Sequence, residues 1–195
     1  MALLVATGNA GKLHEIRRLL SDIGLEVLGL KDFPDAPVVM EDGDTFQANA
    51  IKKAREIAAF SGMNVLADDS GLVVEALDGK PGVFSARYAG PDADDAANNQ
   101  KLLRELEGVP FAERKAAFYC EMALVTREGR LLQSSGRVDG LILDAPVGDG
   151  GFGYDPLFWL PKQRLSMAQI PVEEKNIISH RAQAFLRMLP YLQQL

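Results

Sequence analysis

The residues best equipped for chemistry in this chain are gathered in a few short stretches, and the first lies near its start. Thr7-Gly8-Asn9-Ala10-Gly11-Lys12 separates an apolar run, Leu3 to Ala6, from a stretch where Leu13, Ile16, Leu19, Leu20 and Ile23 recur at helical spacing. Glu15, Arg17 and Arg18 face elsewhere. The pattern is strand, turn, helix. Open backbone N–H groups and the positive end of the helix dipole at such a turn favour an anion. A Walker-type phosphate loop needs four residues between its first Gly and Gly-Lys, then Ser or Thr to ligate Mg²⁺. Here only Asn9 and Ala10 intervene, and Leu13 follows Lys12. The turn can hold phosphate, but any metal must be held by other residues. The competing reading is an ordinary strand-to-helix turn that uses glycine for its backbone freedom.

Carboxylates for that purpose are available. Asp68, Asp69 and Ser70 follow a short apolar strand in "LADDSGL". Adjacent carboxylates are costly to bring together unless positive charge lies beside them. In extended backbone their side chains diverge, so one could ligate a metal while the other orients a lysine or a water. Asp-Asp-Ser-Gly is equally good chemistry for a solvated turn. "EDGDTF" offers Glu41, Asp42 and Asp44 just before a long helix, on which Asn49, Lys53 and Glu56 form a polar stripe. Lys53 can point at an anion or lie on a solvated helix face, the reading preferred for Glu56. "GGFGYDP", with Phe152, Gly153, Tyr154 and Asp155, combines backbone freedom with aromatic rings that can stack on a planar ligand. Lys175, His180 and Arg181 supply several donors near a helix start, suited to base carbonyls or phosphate.

The elements that must position these residues alternate between strand and helix. A strand at 26–30 is followed by a Pro-containing loop and a helix from about Thr45 to Ser61, for which Asp44 and Gln47 make a capping pair. Strands at 64–67 and 71–74, a Gly/Pro-rich loop at 79–90 and a helix from about Asp94 to Leu106 come next. Two long strands, 115–126 and 131–143, are joined by Glu128-Gly129, a hairpin signal. Beyond the glycine-dense loop the chain ends in helices, the last presenting Phe185, Leu186, Leu189 and Leu192 on one side. Mixed strand–helix units with a long hairpin predict an α/β fold with a mixed sheet flanked by helices. Loops at the strand ends are expected to line a cleft between two lobes.

Composition bounds the function classes. A chain of 195 residues that is 47% hydrophobic supports one domain with a substantial core. No apolar run approaches the roughly 20 residues that span a bilayer. Met1 leads directly into a strand and helix, so no signal peptide is expected. Cys120 is the only cysteine and lies in an apolar strand-like run, which marks it as a core residue rather than a nucleophile. These features fit a reducing, cytoplasmic setting. A net charge of -6 argues against a broad nucleic-acid footprint, but not against a small anionic ligand.

Taken together, "TGNAGK", "TFQANAIKKA", "ADDSGL", "PGVFSARYAG", "GGFGYDPLF" and "SHRAQA" resemble, in this order, the motifs of the inosine triphosphate pyrophosphatase family. The resemblance runs from Leu3 to about Leu189, consistent with a single domain over residues 1–195. It implies a two-lobed α/β fold on a long mixed sheet, with the active site in the cleft between the lobes. It also implies Mg²⁺, a homodimer, and hydrolysis of deaminated purine nucleoside triphosphates such as ITP, dITP, XTP and dXTP to the monophosphate and pyrophosphate. By position, Thr7, Gly8, Asn9, Ala10, Gly11 and Lys12 resemble the triphosphate-binding turn. Glu41 and Asp69 resemble the Mg²⁺ ligands, and Asp69 also resembles the proton acceptor. Ser70 resembles a substrate contact, and Phe152, Gly153, Tyr154, Asp155, Lys175, His180 and Arg181 the nucleotide-binding set. Lys12 and Lys53 would stabilise charge on the phosphoryl oxygens. The alternatives are a related pyrophosphatase for pyrimidine or modified nucleotides, and a nucleotide-binding module without turnover.

Overall fold

The computed structural model describes residues 2–21 and 23–195. Met1, from which the chain is expected to pass straight into a strand, lies outside the described residues. Seven strands form one mixed sheet: β1 (Ala2–Val5), β2 (Glu26–Gly29), β3 (Asn64–Val74), β4 (Lys115–Val125), β5 (Leu131–Ile142), β6 (Phe158–Leu160) and β7 (Leu165–Ser166). Their order is β2-β1-β3-β4-β5-β6-β7. β1 pairs in parallel with β2 and with β3, with Val5 opposite Leu66, whereas β5–β6 and β6–β7 are antiparallel. The α-helices are α1 (Ala10–Leu20), α2 (Phe46–Ser61), α3 (Asp95–Glu105), α4 (Val172–Ile178) and α5 (His180–Leu192).

The chain divides into two compact units. The first comprises residues 1–69, 120–136 and 180–195; the second comprises 70–119 and 137–179. In the first, strand alternation sorts side chains into two cores. Leu3, Val5, Leu66, Cys120, Met122 and Leu124 pack with Ile16 and Leu20 of α1 and with Phe185, Met188 and Leu192 of α5. Leu4, Ala6, Val65, Ala67, Ala123 and Val125, one residue out of phase, pack with Ala50, Ala54 and Ile57 of α2. Period-2 alternation thus puts α1 and α5 on one face and α2 on the other. The second unit has its own core, in which Leu72, Val74, Phe118, Ile142 and Phe158 meet Leu102 of α3 and Tyr154.

Several expectations change. Residues 64–67 and 71–74 are not two strands around a turn; β3 is continuous through Asp68, Asp69 and Ser70. Ion pairs on both faces hold the carboxylates there, and the turn chemistry of Asp-Asp-Ser-Gly goes unused. The cap of α2 is Thr45, not Asp44: the Thr45 hydroxyl accepts the Ala48 N–H at 3.1 Å. The chain after the glycine loop does not go straight to helices but adds β6 and β7, too short to carry a periodic signal. On α5 the buried side includes Phe185, Met188 and Leu192, while Leu186 is half exposed. Among the described residues no helix is long and apolar enough to cross a membrane.

Candidate active site

The predicted site residues fall into two groups, one on each unit. In the first unit the turn after β1 opens α1. Asn9 is the N-cap: its side chain accepts the Lys12 N–H at 3.0 Å, and its own N–H donates to Thr7 Oγ1 at 3.2 Å. Among the described residues, the N–H groups of Gly8, Ala10 and Gly11 meet no protein acceptor. Gly8 and Ala10 are exposed and Gly11 half-buried. Those groups and the dipole of an 11-residue helix make a place for an anion.

Asp68 and Asp69 are both buried, and β3 sends them to opposite faces. Asp68 shares the face of Leu66 and meets α1 and α5. Its Oδ2 accepts from Arg181 Nε at 3.3 Å and Nη2 at 3.2 Å, and Lys12 Nζ lies 3.3 Å away. Arg181, itself fully buried, also donates through Nη1 to Glu15. Burial works against the guanidinium charge, but Asp68 and Glu15 outweigh it and hold Arg181 firmly protonated. Glu15, expected to face away from the α1 stripe, is thus a partner of α5. Spacing on α1 alone could not show this, because the partner is 166 residues away.

Asp69 shares the face of Ala67 and meets α2. Its Oδ2 accepts from Asn49 Nδ2 at 3.0 Å, and Lys53 Nζ lies 3.9 Å from its Oδ1. Lys53 also pairs closely with Glu41. The Glu41 loop is tied to α2 by the Gly43 N–H, which donates to Asn49 Oδ1 at 2.8 Å. Burial raises the Asp69 carboxyl above the ordinary aspartate range; Lys53 and Lys12 pull it down without cancelling that, and Glu41 adds repulsion. For Lys53 burial opposes the charge, but Asp69, Asp68 and Glu41 prevail and raise it. Among the described residues no group of three or more His, Cys, Asp or Glu side chains can hold a metal alone. Two converging carboxylates are still what Mg²⁺ uses when substrate phosphates and water complete its shell. The Glu41–Asp69 pair fits that pattern, with Lys53 neutralising both.

In the second unit the glycine loop is organised around Asp155. Its Oδ2 accepts the Phe152 N–H at 3.0 Å and Lys175 Nζ at 2.7 Å. A Cβ on Gly151, where φ is +74°, would stand 2.0 Å from that oxygen, so only glycine fits. Lys175 lies 5.3 Å from the Phe152 ring centroid. Tyr154 points into the core and donates its hydroxyl to the Ser85 carbonyl at 2.8 Å, leaving Phe152 as the ring able to stack on a ligand. Ser70 is half-buried in β3, and His180 is buried at the start of α5.

The model of the Ham1 family matches residues 3–191. The chain belongs to the Ham1 family. Among similar proteins, the dITP/XTP pyrophosphatase of Geobacter sulfurreducens is 54% identical over 97% of this chain and 96% of its own length. That of Geobacillus kaustophilus is 50% identical over 95% and 91%. The solved structure of a HAM1 protein from Coxiella burnetii superposes with a TM-score of 0.89 at 40% identity, covering all of both chains. In this Ham1 chain, Asn49 and Glu15 join the predicted residues as partners of Asp69 and Arg181. Asn49 was legible as part of the polar stripe of α2; its burial was not.

Proposed function

We propose that this chain hydrolyses deaminated purine nucleoside triphosphates, ITP, dITP, XTP and dXTP, to the monophosphate and pyrophosphate. The observation that carries the reading is Asp69, a buried carboxylate that Asn49 and Lys53 hold beside Glu41, on the unit that also presents Lys12 and the open end of α1. The names of the relatives support the substrate class. Glu41 and Asp69 would hold Mg²⁺, which when bound would neutralise leaving-group charge. Water attacks the α-phosphorus, the bond to the bridging oxygen breaks, and pyrophosphate departs. Asp69, held by Asn49 and beside Lys53, takes the proton of the attacking water. Lys12, Lys53 and the N–H groups of Gly8, Ala10 and Gly11 hold phosphoryl oxygens, with Thr7 and Asn9 shaping the turn. Ser70 contacts the substrate. Phe152 stacks on the base, and Lys175, His180 and Arg181 offer donors to a 6-carbonyl, which adenine lacks.

The reading extends to a cytoplasmic homodimer. Phe84, Phe111 and Ile177, 57%, 48% and 66% exposed, are apolar surface that an assembly would cover. Light scattering should return twice 21.2 kDa. The deciding assay incubates the protein with ITP, XTP, ATP and dUTP, with Mg²⁺ or with chelator, and separates pyrophosphate from orthophosphate. Pyrophosphate and monophosphate from ITP and XTP, lost on chelation, are expected. Orthophosphate release, a pyrimidine preference, or binding without turnover would overturn the reading.

A further inference from the structure

The loop bearing Phe152 is fastened by two residues outside the proposed nucleotide-binding set. Asp95 and Asn99 stand at i and i+4 on α3, so both lie on one face, a turn apart. Asp95 Oδ2 accepts the Gly153 N–H at 2.7 Å, and Asn99 Nδ2 donates to the Gly153 carbonyl at 2.9 Å. Both polar groups of a single backbone residue are thereby held by one helix. That helix is itself well anchored. Asp94 caps it by accepting the Ala97 N–H at 2.8 Å, and Leu102 is buried in the core. Asn98 accepts the Ala89 N–H at 2.7 Å and donates to the Ala86 carbonyl at 3.2 Å.

Gly153 has φ of +61° and no side chain to restrict its rotation, and it directly follows Phe152. A ring contributes more net stacking affinity when its backbone is held in place before the ligand arrives, because less ordering cost is then met on binding. We propose that Asp95 and Asn99 are positioning residues for nucleotide binding, fixing the Gly153 backbone and through it the stacking face of Phe152. The proposal rests on the function proposed above. Neither residue touches the reacting atoms, so their loss acts on KM and leaves kcat in place.

The test uses the full chain and the variants Asn99→Ala, Asp95→Ala, Asp95→Asn and Phe152→Ala, with ITP as substrate and amide hydrogen exchange as a second readout. Asn99→Ala and Asp95→Ala should each raise KM by about fivefold or more with kcat within about twofold. Asp95→Asn keeps an acceptor for the Gly153 N–H and should restore most of the affinity, which a merely structural role for charge at the α3 start would not. In the Phe152→Ala background, Asn99→Ala should raise KM by less than about twofold, because the ring being positioned is gone. Exchange of the Gly153 amide should quicken in Asp95→Ala and Asn99→Ala even where no substrate is added. Unchanged exchange overturns the clamp whatever the activity. Quickened exchange with unchanged KM, or the same KM factor with and without Phe152, overturns its link to binding. Failure of the wild-type chain to turn over ITP would be seen before any variant is assayed, and would strike the proposed function itself.

Discussion

Asp68 and Asp69 are chemically identical neighbours with different work. Asp68 is locked by Arg181 and Lys12, whereas Asp69 is held by one amide and a more distant lysine, and burial raises its pKa. Asp69→Asn should abolish pyrophosphate release; activity kept within about tenfold, roughly 1.4 kcal/mol of barrier, would remove Asp69 from the reacting centre. In metal-free buffer the same variant removes a buried charge and also the leading counter-charge of Lys53, so its Tm is read as a difference from wild type across pH. A carboxyl whose folded pKa lies above its unfolded one contributes stability that is complete below the unfolded pKa and lost as pH rises through the folded pKa. The Tm of Asp69→Asn relative to wild type should therefore fall as pH falls through that window, and an equal difference at all pH values would contradict it. Arg181 presents a different risk. Its removal leaves buried Asp68 and half-buried Glu15 without their shared cation, at a cost of about 3–5 kcal/mol, so Arg181→Ala should unfold at markedly lower denaturant. Base reading by Arg181 is better tested in a folded Arg181→Lys protein. A smaller ITP/ATP ratio in kcat/KM supports it, and an unchanged ratio leaves Arg181 only as the holder of Asp68 and Glu15.

At the level of elements, β3 decides which residue does which task. Its alternation gives Asp68 to α1 and α5 and Asp69 to α2, as it gives Leu66 and Ala67 to separate cores. The close crossing of β5 and α5 sets a second constraint. A Cβ on Gly136 would stand 2.0 Å from the His180 carbonyl oxygen and 2.7 Å from the Ala184 nitrogen, backbone atoms that cannot swing aside. Gly136→Ala should therefore cost at least the 1–3 kcal/mol or so typical of overpacking and disturb the start of α5, where His180 and Arg181 reside. Gly8, whose built Cβ meets nothing within 4 Å, is the control, and Gly8→Ala should leave the denaturation midpoint nearly unchanged. Equal midpoints for the two variants would show that the crossing relaxes freely.

Across the whole molecule, the candidate residues divide between the two units. Lys12 and Lys53 belong to the first unit, with Asp68 and Asp69; Phe152, Asp155 and Lys175 belong to the second. Phosphate carries no information about the base. Lys12→Ala should thus lower kcat/KM for ITP and ATP by the same factor, about tenfold or more for a charged hydrogen bond. Phe152→Ala should weaken all purine triphosphates together by roughly 1–3 kcal/mol, since stacking does not read base edges. A change in the ITP/ATP ratio in Lys12→Ala would move that lysine away from the phosphates.

The sequence by itself determined the α/β class, the strand-turn-helix at Thr7 to Lys12, the hairpin at Glu128-Gly129 and the core placement of Cys120. Each rests on local periodicity or turn chemistry, which acts within a few residues and needs no distant partner. It also brought Asp69 forward as a carboxylate following a short strand, Lys53 through the polar stripe of its helix, and Glu41 through the loop before that helix and the family resemblance. Only the tertiary structure decided that β3 runs unbroken through Asp68 and Asp69, since the stabilising partners come from α1, α2 and α5. It alone brought Glu15 to Arg181 and Asp95 to Gly153, across 166 and 58 residues. A spacing pattern records which side of its own helix a residue occupies, but the charge or carbonyl waiting there is supplied by packing.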